Sequence, residues 1–166
     1  MANGEEISVR VGGDKMENIT LKPVGIIRNG ITEAVDEGWG KVTSVIELRP
    51  DLSGIIDGLD GFSHVIVVYW MHETPEVPQL KRRPRGREDM PELGLLAQRA
   101  RHRPNPVGIT AVEIVSVASD RLTVKGLDAI DGTPVLDLKP YVPVFDRRDG
   151  ARVPEWFDRL MQGYFD

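Results

Sequence analysis

The side chains able to do acid–base or ligand chemistry are few, and each sits at a recognisable point of the chain. There is no cysteine, which excludes thiolate nucleophiles, disulfides and cysteine-ligated zinc or iron–sulfur centres. The histidines are His64, His72 and His102, none in an HExxH arrangement, so no metal is expected. His72 follows the most apolar run, Val65 to Met71, and an uninterrupted strand would put it on the same side as His64. Between Leu127 and Tyr141, Asp128, Asp131, Asp137 and Lys139 collect in a short stretch. Asp128 and Asp131 suit two tasks equally, satisfying turn amides or supplying acceptors to a polar ligand. In Arg103-Pro104-Asn105-Pro106-Val107-Gly108, two prolines hold Arg103 and Asn105 extended, giving a stiff arm. Gly108 then permits a close approach by a ligand or another chain.

The strongest charge feature is a basic island. The 166 residues carry a net −5, yet Lys81 to Arg103 holds eight basic side chains against three acidic ones, a local +5. The remaining 13 basic and 23 acidic residues give −10. Such an island is either a solvated loop or a phosphate-gripping arm, because arginine forks match phosphate oxygens and local fields dominate within a Debye length. Arg82, Arg83 and Arg85 are its densest part. No P-loop, GxGxxG or GxSxG string is present, so Rossmann, phosphate-cradle and nucleophile-elbow chemistry are unsupported.

The elements that must position these residues are mainly β. Short β-branched runs at Thr20–Arg28, Lys41–Leu48, Ser63–Met71, Gly108–Val117, Arg121–Leu127 and Pro134–Leu138 are bounded by Gly, Pro, Asp or Asn. The pair Ala111–Val117 and Leu122–Leu127 reads as a hairpin of firm register. Helical signals are a turn near Leu52–Asp57, a short helix near Leu93–Gln98, and Pro154–Gly163. In the last of these, Trp156, Leu160 and Tyr164 form one stripe suited to cover the barrel or a partner subunit. The fold expected is a single β-barrel domain over residues 18–166, with a long loop arm and a short C-terminal helix, after a flexible tail at 1–17. With 40% hydrophobic and 28% charged residues, no apolar run long enough for a membrane helix and no secretory start, the expectation is a cytoplasmic protein with no membrane partner.

Leu59-Asp60-Gly61-Phe62-Ser63-His64-Val65, Trp70-Met71-His72, Gly94-Leu95-Leu96-Ala97-Gln98-Arg99, the RPNPVG string and Asp131-Gly132-Thr133-Pro134-Val135-Leu136-Asp137-Leu138-Lys139-Pro140-Tyr141 occur in one order. In that order they resemble the TrmO family, the YaeB-like tRNA methyltransferases, over roughly residues 20–146. The resemblance implies a β-barrel S-adenosylmethionine enzyme that works as a homodimer. It also implies methylation of N6-threonylcarbamoyladenosine beside the tRNA anticodon. By the same resemblance, cofactor contacts fall on His72, Glu73, Arg99, Leu127, Asp128 and Ala129, with Arg103, Asn105, Asp137 and Lys139 at or near the site. On this picture Asp128 meets the cofactor's positive charge and Arg99 its carboxylate. Asp137 or His72 accepts a proton, Arg82, Arg83 and Arg85 hold anticodon-stem phosphates, and Trp39 or Tyr141 stacks on a base. Two other classes compete: a non-catalytic RNA-binding or cofactor-sensing module, and a methyltransferase acting on a small molecule.

Overall fold

The computed structural model describes residues 10–12, 15–75 and 79–166, with side chains from Ile19 onward. Residues 1–9, 13 and 14 of the expected tail lie outside the described residues, while Arg10–Gly12 (β1) and Lys15–Asn18 (β2) form an antiparallel pair. The strands that follow are Gly25–Arg28 (β3), Thr43–Leu48 (β4), His64–Trp70 (β5), Lys81–Arg82 (β6), Leu93–Gly94 (β7), Val107–Val117 (β8), Arg121–Lys125 (β9) and Pro134–Pro140 (β10). Six of them close an antiparallel barrel in the order β10-β3-β4-β9-β8-β5. Closure pairs the edge backbone groups that an open sheet would leave bare.

The barrel interior follows from alternation. In β5, Val65, Val67 and Tyr69 point inward and are buried, while Ile66, Val68 and Trp70 face outward and are half-buried. They meet Ile27, Ile46, Leu122, Val124, Leu127 and Val135 in one core. Each aliphatic side chain so buried stabilises the fold by about 1.5–3 kcal/mol. The β8–β9 hairpin is as expected, but its register shifts between Ile114 and Ser116. A bulge there adds a residue to the longer strand and sharpens the bend that a closing barrel requires.

The long arm is more ordered than its sequence suggested. β6 pairs with β7, and the segment Leu93–Gln98, expected as a short helix, begins as strand and continues as a single 3-10 turn over Leu95–Ala97. The buried Gln98 amide stitches this arm together, donating to the Arg82 carbonyl at 2.7 Å and the Leu93 carbonyl at 3.2 Å. Those bonds hold the segment extended on either side of the turn, which leaves no room for a helix. Met90 and Leu95 are buried beside it. Two helices end the chain, Pro143–Asp146 (α1), which sequence reading missed, and Glu155–Met161 (α2), with Pro154 just before its first turn.

Candidate functional site

One mouth of the barrel opens into a cleft of about 870 Å³. Its floor comes from three places: the end of β5 and the turn after it (Tyr69, Met71, His72, Glu73), the start of β8 (Gly108, Thr110), and the β9–β10 loop (Asp128, Ala129, Ile130). The basic arm forms one wall, and the C-terminal residues from Trp156 to Phe165 form the other.

At its centre is the Asp128 carboxylate. Tyr69 Oη donates to Asp128 Oδ1 at 3.0 Å, Thr110 Oγ1 donates to the same oxygen, and Tyr164 Oη donates to Oδ2 at 2.8 Å. Burial, reinforced by the nearby Asp128 charge, pushes both tyrosine hydroxyls well above their usual range, so they remain O–H donors throughout physiological pH. A carboxylate has about four lone-pair sites and three are filled here, which leaves one acceptor position on Oδ2. Tyr69 lies flat over Gly108: a Cβ at that position would overlap the Tyr69 ring. The close approach that Gly108 permits is therefore by Tyr69, a buried neighbour in the same chain.

The two aspartates that looked alike in sequence do different work. Asp131 Oδ1 accepts the Asn29 and Gly30 amides at 2.8 and 3.0 Å, tying the β9–β10 loop to the end of β3. The Gly30 and Asn29 bonds, with Arg28 nearby, hold its carboxyl below the usual carboxylate range. Asp131 is a turn residue; Asp128 faces the cleft.

The structure brings together His72, Glu73, Arg82, Arg83, Arg85, Arg99, Arg103, Asp128 and Ala129 around the cleft. His72 Nδ1 lies 3.4 Å from Thr133 Oγ1, and its Nε2 lies 3.9 Å from Glu73. The histidine pair does not form, since His64 stands at the opposite end of β5, bonded to Ser63. Leu127 is fully buried in the barrel core and contributes no side chain to the cleft. Asp137, Lys139 and Tyr141 are outside it. Asp137 and Lys139 pair with each other at 2.7 Å on the outer face of β10, opposite Val68 and Ile66 of β5. Asp137, expected as a proton acceptor, thus stands apart from the cleft, where a bulge after Val135 turns its side chain outward. Tyr141 packs edge-on to His64 at the far end of the barrel. Asn105 is exposed and outside the cleft, its carbonyl accepting the Val107 amide at 2.7 Å. Trp39 is 2% exposed and donates its indole N–H to the Val35 carbonyl; it is a buried wall, not a free stacking face.

The arginines divide. Arg83 donates to the Met90 carbonyl, Arg99 to the Ile109 carbonyl at 2.7 Å, and Arg103 to the Gln98 carbonyl at 2.9 Å. Arg85 binds Asp36 at 3.0 Å, with its side chain 22% exposed. Among the described residues, the Arg82 and Arg101 side chains make no hydrogen bond or ion pair to protein. His102, also on the cleft, is held below its ordinary range by burial and then by Arg82 and Arg101. Sequence reading missed Tyr69 and Thr110, which look like ordinary members of alternating strands, and missed that the C-terminal stripe would line the site. Among the described residues no group of three potential metal ligands comes together, and no helix is long and apolar enough to cross a membrane.

Against known proteins, the family model described as the tRNA-methyltransferase O N-terminal domain matches residues 36–147. A "Probable S-adenosyl-L-methionine-binding protein" of Methanothermobacter thermautotrophicus is 39% identical, over 77% of this chain and 93% of that protein. The mouse "tRNA (adenine(37)-N6)-methyltransferase" is 35% identical over 54% of this chain and 21% of its own length. A crystal structure of TrmO from P. aeruginosa superposes with a TM-score of 0.71 at 30% identity, covering 87% of this chain and 64% of that one. The chain thus spans nearly all of one relative and smaller parts of others, including 38% of an Archaeoglobus fulgidus protein that is 36% identical over 84% of this chain.

Proposed function

The chain belongs to the tRNA-methyltransferase O family, and we propose that it is an S-adenosylmethionine-dependent methyltransferase acting on N6 of a tRNA adenine, with the cofactor in the cleft around Asp128. The finer reading is that the adenine is N6-threonylcarbamoyladenosine beside the anticodon. The single observation that carries the proposal is a carboxylate fixed by three hydroxyl donors, with one lone pair open, facing a cleft whose other wall is arginine-rich.

The residues fit this cofactor's chemistry. A zwitterionic amino-acid nucleoside needs an acceptor for its ammonium, a guanidinium for its carboxylate and an apolar slot for its base; Asp128, Arg99 or Arg103, and Met71 with Ile130 supply these. When bound, the cofactor supplies a methyl group on a positively charged sulfur. The protein's part is alignment and exclusion of water, worth several kcal/mol without any covalent nucleophile. His72, aimed into the cleft with Thr133 at its Nδ1, is positioned to take the proton released from the acceptor nitrogen. His102 offers a second imidazole on the same rim, its affinity for a proton lowered by burial and then by Arg82 and Arg101.

We extend the proposal to a homodimer. Its support is the outer face of β5 and β8 beside the cleft, where Val68 stands opposite Ile109 and Ile66 opposite Ala111; Ile109, 50% exposed, and Ala111 also border the cleft, so a second copy seated there would adjoin it. Sedimentation should give twice the chain mass, and a monomer at working concentration would remove this part.

The test is transfer of labelled methyl to total tRNA alongside calorimetric titration with S-adenosylmethionine. Label recovered in an N6-methylated threonylcarbamoyladenosine is expected. The relative of nearly equal length that is named only for binding favours one alternative, a cofactor-sensing module, and binding without transfer would decide for it. Label in small metabolites alone would decide for a small-molecule enzyme. Asp128→Asn should weaken binding roughly 10- to 100-fold, the range of a lost charged hydrogen bond.

A further inference from the structure

Residues 148–166 lie beyond the stretch matched by the family model, yet they build one whole wall of the cleft. Trp156, Phe157, Leu160, Met161, Tyr164 and Phe165 all line it. This wall is fastened at three points. The Gly38 and Trp39 amides donate to the Gly163 and Tyr164 carbonyls at 3.1 and 3.0 Å. Gly40 leaves no room for a side chain, because a Cβ there would strike the Phe165 carbonyl. Arg85 spreads its guanidinium 5.6 Å from the centre of the Tyr164 ring, a cation–π distance.

Arg85 is also unusual in its backbone. Among the described residues it is the one non-glycine with positive φ, at 51°, a conformation that costs of order 1–3 kcal/mol and persists only where the surroundings fix it. Here they do. The Asp36 carboxylate takes its Nε at 3.0 Å, the Asp36 carbonyl takes Nη2 at 3.3 Å, and the Tyr164 ring lies beneath. A residue that read in the sequence as a phosphate contact is committed instead to a chain of contacts running Asp36, Arg85, Tyr164, Asp128.

We propose that Tyr164 is a positioning residue for the cofactor site: through its hydroxyl it fixes the rotamer of Asp128, and Arg85 fixes Tyr164, so that the C-terminal segment sets cofactor affinity. This rests on the reading of the cleft as the cofactor site and adds residues outside the matched family region. Without the Tyr164 hydroxyl, Asp128 Oδ2 has no protein donor among the described residues, and the carboxylate is held at Oδ1 alone, by Tyr69 and Thr110, so Oδ2 can swing about that anchor.

The test uses the full chain and calorimetric titration with S-adenosylhomocysteine, with thermal unfolding and transfer to tRNA in parallel. Tyr164→Phe keeps the ring, the Arg85 contact and the backbone ties, and removes only the hydroxyl. It should weaken binding roughly tenfold with the KM for tRNA unchanged. Arg85→Ala should weaken binding in the same direction by less. The double variant should bind no worse than Tyr164→Phe alone, because Arg85 acts through the hydroxyl that is already gone; independent effects would multiply. Tyr164→Phe binding like the parent, with or without a lower melting temperature, would overturn the proposal and leave the function intact. Arg85→Ala that spares cofactor affinity but flattens the salt dependence of tRNA binding would return Arg85 to the RNA arm and remove it from the chain. A parent protein that binds neither S-adenosylmethionine nor S-adenosylhomocysteine would remove the cofactor reading itself.

Discussion

Two aspartates three residues apart, Asp128 and Asp131, illustrate what a sequence says at the scale of a residue. Both sit in a turn-rich stretch, and residue type alone suits either to the backbone or to a ligand. What separates them is which groups the closing barrel brings near: the end of β3 presents two amides to Asp131, and the mouth of β5 and β8 presents two hydroxyls to Asp128. Asp131→Asn should cost about 1–2 kcal/mol at neutral pH, because an amide oxygen accepts the two backbone bonds less strongly than a carboxylate does. The pH dependence has a definite sign. The folded carboxyl titrates below its ordinary 3.8, so its contribution is fully present above that value and is lost as pH falls through the folded one. Urea unfolding should therefore show a parent–variant gap that is constant from pH 8 to 5 and narrows below 4. A gap that widened toward acid would contradict the assignment. Asp137 illustrates the converse. Nothing in its sequence neighbourhood marks it as outward-facing, and only the bulge after Val135 makes it so.

At the scale of elements, the barrel was legible because its strands are short, β-branched and cleanly bounded; all six expected runs contain the observed barrel strands or differ from them by one or two residues at an end. Bulges were not legible, since they follow from closure, which is a property of six strands together. The C-terminal helix was legible from the spacing of Trp156, Leu160 and Tyr164, but its destination was not: an apolar stripe specifies that something covers it, without saying what. Gly108 joins the two levels. It sits opposite Tyr69 in the β5–β8 ladder, where a side chain would occupy the space of the ring. Gly108→Ala should destabilise the fold by about 1–3 kcal/mol, the range for overpacking. It should also tilt Tyr69 off Asp128, so that melting temperature and cofactor affinity fall together. An alanine variant that melted and bound like the parent would show that the ring yields without cost.

Taken whole, the molecule sets a +5 stretch on a −10 body, and folding gathers most of that stretch at the mouth of one cleft. An acidic surface repels a polyanion, so for the proposed tRNA substrate productive encounter requires the basic rim to meet it first. The rim's charges are not equivalent. Arg83, Arg85, Arg99 and Arg103 already donate to carbonyls or a carboxylate of the protein itself, and removing them disturbs the arm or the cleft wall as well as the field. Arg82 and Arg101 are the pair whose loss changes charge with the least structural consequence, and their two positive charges also depress His102. Each phosphate neutralised contributes about 0.7–0.9 to the slope of log affinity against log salt. The Arg82→Gln, Arg101→Gln double variant should therefore weaken tRNA binding and reduce that slope by about 1.5, with the melting temperature and S-adenosylmethionine affinity held. His102 in the variant should titrate closer to its ordinary value, a shift that proton NMR reads directly. An unchanged salt slope would mean that RNA approaches from another side, and the basic rim would then be a solvated edge of the cleft.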